Sequence, residues 1–217
     1  MESEKNVIVT GGTSGLGMAL VYKFSKKGYT VATCGRNRET LNVLKSSGIA
    51  AIECDIRIPS SVSYFFRRVR ELMNTAQIVI LNAGTIGPIP LKSVADTNIT
   101  EIRGVMETNF FGNFRFLMES IRMMREKGLI VHITSDAASN DYPGWGAYSA
   151  SKVAFDKIIS ISNAELSGTK IKAISIDPGD MDTPMHRLVL PDDVGLQTPD
   201  EAASRIIDQI EEMMKDD

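Results

Sequence analysis

Cysteine, histidine and tryptophan are scarce in this chain of 217 residues, which carries two Cys, two His and one Trp. Two cysteines make no disulfide scaffold. Cys34 and Cys54 fall in or beside stretches that read as buried strands, where a thiol behaves as a small apolar side chain. His132 sits in mid-strand, and no G-x-S-x-G elbow is present, so a Ser-His-acid hydrolase is not expected. A structural zinc site is unexpected for the same scarcity of ligands. Charge of one sign is missing too: the formal net charge is -3, with Lys and Arg scattered among Asp and Glu. This argues against nucleic acid or an anionic membrane as partner. No apolar run is long enough to span a bilayer, and no long apolar segment precedes Asn6, so a cytoplasmic protein is expected. Asp177, Asp180, Asp182 and His186 form the only metal-like grouping. No metal is expected there, because hard cations want several convergent carboxylates. Internal repeats and low-complexity linkers are also lacking. With 43% hydrophobic residues, residues 1–217 read as one domain around one core.

What is present is alternation. Short β-rich runs at Asn6 to Thr10, Thr30 to Cys34, Ala50 to Glu53, Ile78 to Leu81, Leu129 to Thr134 and Ile171 to Ile176 are separated by stretches of helical spacing. Helices are predicted from about Met18, from Pro59 to about Met73, from Gly146 to Leu166, and from Pro199 onward. Asn98 with Glu101 opens a further long helix, expected to run until Gly128, and the stretch from Asp177 to Thr198 reads as irregular. This order predicts an α/β fold with a parallel sheet, helices on both faces, and ligands at the carboxyl ends of the strands.

The chemistry-bearing residues fall at those ends. The first strand breaks into Gly11, Gly12, Gly15 and Gly17 before a helix starts, a place where backbone N–H groups can hold a pyrophosphate. The glycines alone fit a tight strand-to-helix turn equally well. The second strand ends in Gly35, Arg36, Asn37 and Arg38. An acidic residue there would bind ribose hydroxyls, whereas an arginine accommodates a 2'-phosphate, which favours NADP(H) over NAD(H). The bland alternative is a pair of solvated arginines opening a helix. Asn109 lies on the apolar stripe of the long helix, either as a satisfied core amide or as part of an active-site network.

The stretch from His132 to Lys152 is the most informative. Ser135 follows the fifth strand, and Tyr148 and Lys152 stand at i and i+4 of a predicted helix, so their side chains share a face. An adjacent ammonium is expected to lower the phenol's pKa and suit it to proton exchange near neutral pH. The same spacing occurs at Tyr22 and Lys26, within the first helix and without the serine or the preceding aromatic loop, so the spacing by itself is weak.

Taken together, these motifs resemble the classical short-chain dehydrogenase/reductase family over nearly the whole chain. TGGTSGLG from Thr10 to Gly17, NAG from Asn82 to Gly84, the order Asn109, Ser135, Tyr148, Lys152, and PGDMDT from Pro178 to Thr183 carry the resemblance. It implies a single-domain, Rossmann-type, doubly wound sheet, here of six strands in the order 3-2-1-4-5-6. Many members add a further strand, which this chain lacks after its last helix. A homodimer is therefore expected, with the tetramer common in the family as the alternative.

The resemblance implies Tyr148 as proton donor in reduction, with Lys152 lowering its pKa and binding the nicotinamide ribose. Ser135 would bond the substrate carbonyl, and Asn109 would hold a water linked to Lys152. Cofactor contacts are implied at Gly11, Thr13, Ser14, Gly15, Leu16 and Gly17, at Arg36 and Asn37, at Asp55 and Ile56, at Asn82, Ala83 and Gly84, and at Pro178, Gly179, Met181 and Thr183. Cys54 and Asp55 would lie beside the adenine. The expected activity is that of an NADP(H)-dependent carbonyl reductase, reversible as an alcohol dehydrogenase. An epimerase or dehydratase on the same fold and an NADP(H)-sensing regulator without turnover are the alternatives. A fainter likeness to the sepiapterin and benzil reductase branch suggests an aromatic or diketone substrate. Tyr142, Trp145, Met181, Met185 and Leu188 are candidates for an apolar pocket, or equally for ordinary packing. Residues 184–198 read as a short substrate lid that leaves the pocket open.

Overall fold

The computed structural model describes residues 5–124 and 127–215. Six strands, β1 (Asn6–Thr10), β2 (Thr30–Gly35), β3 (Ala50–Glu53), β4 (Ile78–Leu81), β5 (Lys127–Ile133) and β6 (Lys170–Ile176), form one sheet in the order β3-β2-β1-β4-β5-β6. Every neighbouring pair is parallel. This is the doubly wound Rossmann-type architecture expected. Strand order reverses between β1 and β4, which opens the crevice at their carboxyl ends.

Both faces of the sheet are covered, as the continuous apolar strands require. Val7, Val9, Ile78 and Ile80 face the helices α1 (Gly15–Lys26), α2 (Arg38–Ser46) and α8 (Pro199–Lys215) through Leu20, Phe24, Leu41, Ile206 and Ile210. Ile8, Val79, Leu81 and Ile130 point the other way. They pack on Phe65 and Phe66 of α3 (Pro59–Arg70), Phe116 of α5 (Asn113–Met123) and Phe155 of α6 (Gly146–Glu165). The three rings Phe65, Phe66 and Phe116 pack mutually, with centroids 5.1–5.4 Å apart.

The long helix differs from its expected course. α4 (Ile99–Met106) begins with the anticipated capping box of Asn98 and Glu101, but it widens into a π-helical segment, Glu107–Gly112, before α5. α5 ends at Met123, with Met124 already extended, so Gly128 is not a helix stop but a buried residue inside β5. A β-carbon on Gly128 would come within 2.7 Å of the Met124 sulfur. The glycine therefore permits a close approach rather than a turn. α3 also stops at Arg70, short of Met73. Residues 184–198 are less irregular than expected: α7 (Pro184–Arg187) is capped by Thr183, and a bridge between Met181 and Gln197 closes the segment's base. Among the described residues, no helix is long and apolar enough to cross a membrane.

Candidate active site

At the reversal of strand order, the ends of β1 and β4 are stapled together. Thr10 Oγ1 accepts from the backbone N–H groups of Asn82 and Ala83, both at 2.9 Å, and Asn82 Nδ2 donates to the Thr10 carbonyl at 2.9 Å. Gly11 has φ +71°, and a β-carbon there would lie 3.0 Å from Ala83 Cα; one on Gly17 would lie 2.3 Å from the Gly11 carbonyl oxygen. Backbone thus packs on backbone, and the absence of side chains at Gly11 and Gly17 lets the loop close tightly between β1, β4 and the start of α1. Ser14 stands at the N-cap of α1 without using its side chain as a cap. Ser14, Gly15, Leu16 and Gly17, at the N-cap and first turn of α1, border the cleft, where the backbone N–H groups of a helix start can bind an anion. The cleft encloses about 260 Å³. These features fit a dinucleotide phosphate bridge.

The β2 end separates its polar residues by task. Asn37 caps α2 by accepting from the Thr40 N–H at 3.0 Å and does not border the cleft. Arg38 pairs with Glu53 at 2.8 Å. Arg36 borders the cleft, and among the described residues it has neither a hydrogen bond nor an ion pair. Asp55, Ile56 and both cysteines also border it. The Asp55 carboxylate is gripped by Arg57 through Nε at 3.0 and 3.1 Å and Nη2 at 2.6 Å, which holds it below the usual carboxylate range. Arg57 is a cleft residue that the sequence reading did not include.

At the other end Tyr148 and Lys152 are buried on one face of α6, with Lys152 Nζ 5.6 Å from the Tyr148 ring centroid. Lys152 Nζ donates to the Ile133 carbonyl at 2.7 Å, and burial lowers its pKa to about 8. Tyr148 departs from expectation. Burial pushes its phenol up to about 12, with Asp177 and Asp136 acting in the same direction. The principal opposing influence is the Ser135 hydroxyl rather than Lys152. The desolvation of a closely packed phenol outweighs the pull of an ammonium that is itself directed at a carbonyl. The Tyr22 and Lys26 pair has no such setting: Tyr22 packs into the core and Lys26 is exposed.

Ser135 is fixed by its own loop, its Oγ donating to Asp136 Oδ1 at 3.1 Å and accepting from the Ala137 N–H at 3.2 Å. Asn109 lies in the π-helical segment, where its side-chain bonds are those of a core amide. Its Oδ1 accepts from the Thr85 N–H at 2.8 Å, while Nδ2 donates to the Thr85 carbonyl and to Ser151 Oγ, both at 2.9 Å. It is therefore a satisfied buried amide that also ties the Gly84 loop to α6. Both of its amide hydrogens are spent, so its side chain has no donor left for the expected water. Asn113, one turn later, donates to the Ala83 carbonyl at 2.9 Å and the Asn109 carbonyl at 3.1 Å. It was passed over in the sequence, although its i+4 spacing from Asn109 was visible.

Pro178, Met181 and Thr183 border the cleft, whereas Asn109, Ser135, Gly179 and Asn37 do not. Thr108, Thr134, Pro184 and Met185 join it. The apolar candidates divide. Trp145 packs edge-on against Tyr148 at 5.5 Å, within a small cluster of Ile86, Ala137, Leu91 and Val189. Met181 and Met185 face the cleft, Leu188 is exposed, and Tyr142 is exposed with its hydroxyl donating to Asp136 at 2.6 Å. Val189 therefore brings residues 184–198 against the wall that holds Tyr148. His186 pairs with Asp193 at 2.9 Å, which braces that segment.

The sequence model for short chain dehydrogenases matches residues 5–193. An uncharacterized oxidoreductase of Schizosaccharomyces pombe is 29% identical over 188 residues, covering 85% of this chain and 74% of the relative. The NADPH-dependent 1-acyldihydroxyacetone phosphate reductase of the same yeast is 30% identical over 186 residues, covering 84% of this chain and 62% of the relative. Among solved structures, a 3-ketoacyl-(acyl-carrier-protein) reductase from Brucella melitensis complexed with NADH shares the fold at TM-score 0.87 and 20% identity, covering 95% of this chain and 90% of that one.

Proposed function

Since this chain belongs to the short chain dehydrogenase family of oxidoreductases, we propose that it is an NADP(H)-dependent carbonyl reductase, reversible as an alcohol dehydrogenase, with Tyr148 as proton donor. The observation that carries this reading is the burial of Tyr148 and Lys152 side by side at the cleft wall, beside Ser135. When bound, a nicotinamide dinucleotide supplies or accepts the hydride. The Gly11–Gly17 loop and the start of α1 would hold its phosphates, and Asn82, Ala83 and Gly84 would support its middle. Pro178, Met181 and Thr183 would border the nicotinamide, with Lys152 beside the adjoining ribose.

The chain's own groups handle the proton. A phenol held at about 12 stays protonated at neutral pH, which suits it to give a proton to an alkoxide, a stronger base than phenolate. Ser135 Oγ, its hydroxyl turned away from Asp136, would donate to the substrate oxygen as charge grows on it. Lys152, near 8, remains largely cationic at neutral pH and would stabilise the phenolate left behind. Arg36 supports NADP(H), because it is a cleft-bordering guanidinium that helps hold the Asp55 charge but has no hydrogen bond or ion pair among the described residues, and it matches a 2'-phosphate. The NADPH dependence of the 30% identical yeast reductase agrees with this choice.

Met181 and Met185 border the cleft, and Trp145, Ile86 and Val189 cluster with Tyr148, an apolar setting that supports an aromatic or diketone substrate. We further propose one catalytic unit over residues 1–217 that works as a homodimer. The test is loss of NADPH absorbance with aromatic aldehydes, diketones, quinones and pterins, using NADH as control. Turnover is expected with NADPH, and Tyr148→Phe should bind NADPH normally while losing at least a hundredfold in rate. Full activity in that variant would remove Tyr148 from the proton-donor role.

A further inference from the structure

Beneath Lys152 lies a polar cluster that the proposed chemistry does not use. Asp156 follows Lys152 by one helical turn on α6, so the two share a face. Its carboxylate accepts from three side chains, two on paired strands and one just past the end of β5. Oδ1 accepts from His132 Nδ1 at 2.9 Å and from Ser175 Oγ at 2.5 Å, and Oδ2 accepts from Thr134 Oγ1 at 2.6 Å. His132 and Ser175 are register partners on β5 and β6, and Thr134 lies two residues beyond His132, so all three point to the α6 side of the sheet.

The residue between His132 and Thr134 is Ile133, and its carbonyl receives Lys152 Nζ at 2.7 Å. Asp156 therefore grips the residues on either side of the carbonyl that aims the lysine. The Thr134 N–H, which belongs to the same peptide as that carbonyl, donates to the Ile176 carbonyl at 3.0 Å, so the strand pairing and the Asp156 clamp together fix the direction of the acceptor. The carboxylate also answers an electrostatic need, since Lys152 is 5% exposed and a buried ammonium requires a counter-charge.

We propose that Asp156 is the positioning residue for Lys152: one carboxylate clamps β5 so that the Ile133 carbonyl meets the ammonium, and supplies the negative charge that keeps this buried lysine protonated. The inference rests on the reading of Lys152 as part of the active site. The charged and titratable groups around the lysine are few. Tyr148 and Asp156 lie on its own helix, Asp177 at the end of β6, and His132 on β5. Burial works against the lysine's charge, and Asp156 is the first of the groups that support it, ahead of Asp177. His132 stays neutral at neutral pH because burial drops its pKa to about 4, so it donates to Asp156 without cancelling its charge.

The experiment is the titration of Lys152 by NMR, using Cε-labelled lysine with Lys152→Met for assignment, in the full chain without cofactor. In Asp156→Asn, which keeps size and part of the hydrogen bonding, the Lys152 midpoint should fall from about 8 by about one unit or more. Ser175→Ala, which removes one clamp bond and leaves the charge, should keep the midpoint within about 0.3 of wild type. A folded Asp156→Asn protein with an unmoved midpoint overturns the proposal.

If Asp156→Asn does not fold, Asp156→Glu takes its place and should hold the wild-type midpoint; a fall of about one unit there would overturn the electrostatic role. NADPH turnover at several pH values then separates the two readings. Asp156→Asn should shift the pH profile in parallel with the lysine midpoint. A moved midpoint in a protein whose wild type turns over no carbonyl would leave the Asp156 relation standing and remove the reductase reading.

Discussion

Thr10 and Asn82 are joined twice, the threonine hydroxyl receiving the Asn82 N–H at 2.9 Å and the asparagine amide donating to the Thr10 carbonyl at 2.9 Å. This double link sets the spacing of β1 and β4 at the point where strand order reverses, and so sets the width of the cleft. The same hydroxyl also receives the Ala83 N–H at 2.9 Å. A single buried side chain thus satisfies two backbone donors that have left the strand ladder.

Thr10→Val should cost about 2 to 4 kcal/mol, because two partly buried N–H groups lose their acceptor while shape is nearly conserved. Urea unfolding gives the stability, and a fluorescence titration with NADPH should show affinity falling at least severalfold as the cleft loses its spacing. Wild-type stability in this variant would mean that both amides find other acceptors.

Arg36→Ala should weaken NADPH about tenfold or more and change NADH by less than about twofold, since a guanidinium facing a 2'-phosphate serves only the phosphorylated cofactor. Arg38→Ala is the matched control, because that arginine is already paired with Glu53. Equal losses for both cofactors in Arg36→Ala would dismiss the 2'-phosphate assignment.

How much of this site could be read in the sequence follows from how local each feature is. The glycine loop, the Asn98 capping box and the Tyr148 and Lys152 pair lie within single turns or loops, and all are found where spacing placed them. Asp156 was passed over because nothing on its own helix shows that His132 and Ser175 meet it from paired strands. Arg57 was missed because a short ion pair with Asp55 is a matter of loop conformation, not periodicity. Gly128 misled for the opposite reason. A glycine after a helical stretch signals a C-cap, yet this one is set by the approach of Met124 to β5, a tertiary contact. The pKa of Tyr148 was misjudged because i, i+4 spacing reports neighbours and not burial.

Acid should destabilise the protein through His132. Its pKa is lowered by burial from an ordinary 6.5 to about 4, so between those values the unfolded chain binds more protons. The stabilising contribution is complete above 6.5 and is lost as pH falls through about 4, amounting to roughly 3 kcal/mol. His132→Gln, which does not titrate, should show a stability profile flatter by up to about one proton across that window in urea melts. An unchanged slope would assign the acid sensitivity to carboxylates alone.

Lys152→Met should reveal the cost of burying the ammonium. With a folded pKa of about 8 against an ordinary 10.5, the unfolded state binds more protons between those values, so wild-type stability should rise through the window. Below about pH 8 the cost is fully present, and above 10.5 it is gone. The difference between wild type and Lys152→Met should therefore move about 3 kcal/mol in favour of wild type as pH climbs through this range. Tyr148 acts oppositely at higher pH, since its raised pKa lets the folded state keep a proton from 10 to about 12. The comparison is therefore made between about pH 8 and about pH 10, below the tyrosine's window, where the lysine alone of the pair titrates. Urea midpoints taken at several pH values across the window measure the difference. Parallel profiles would show that Lys152 carries no burial cost, and would undercut the need for Asp156 behind it.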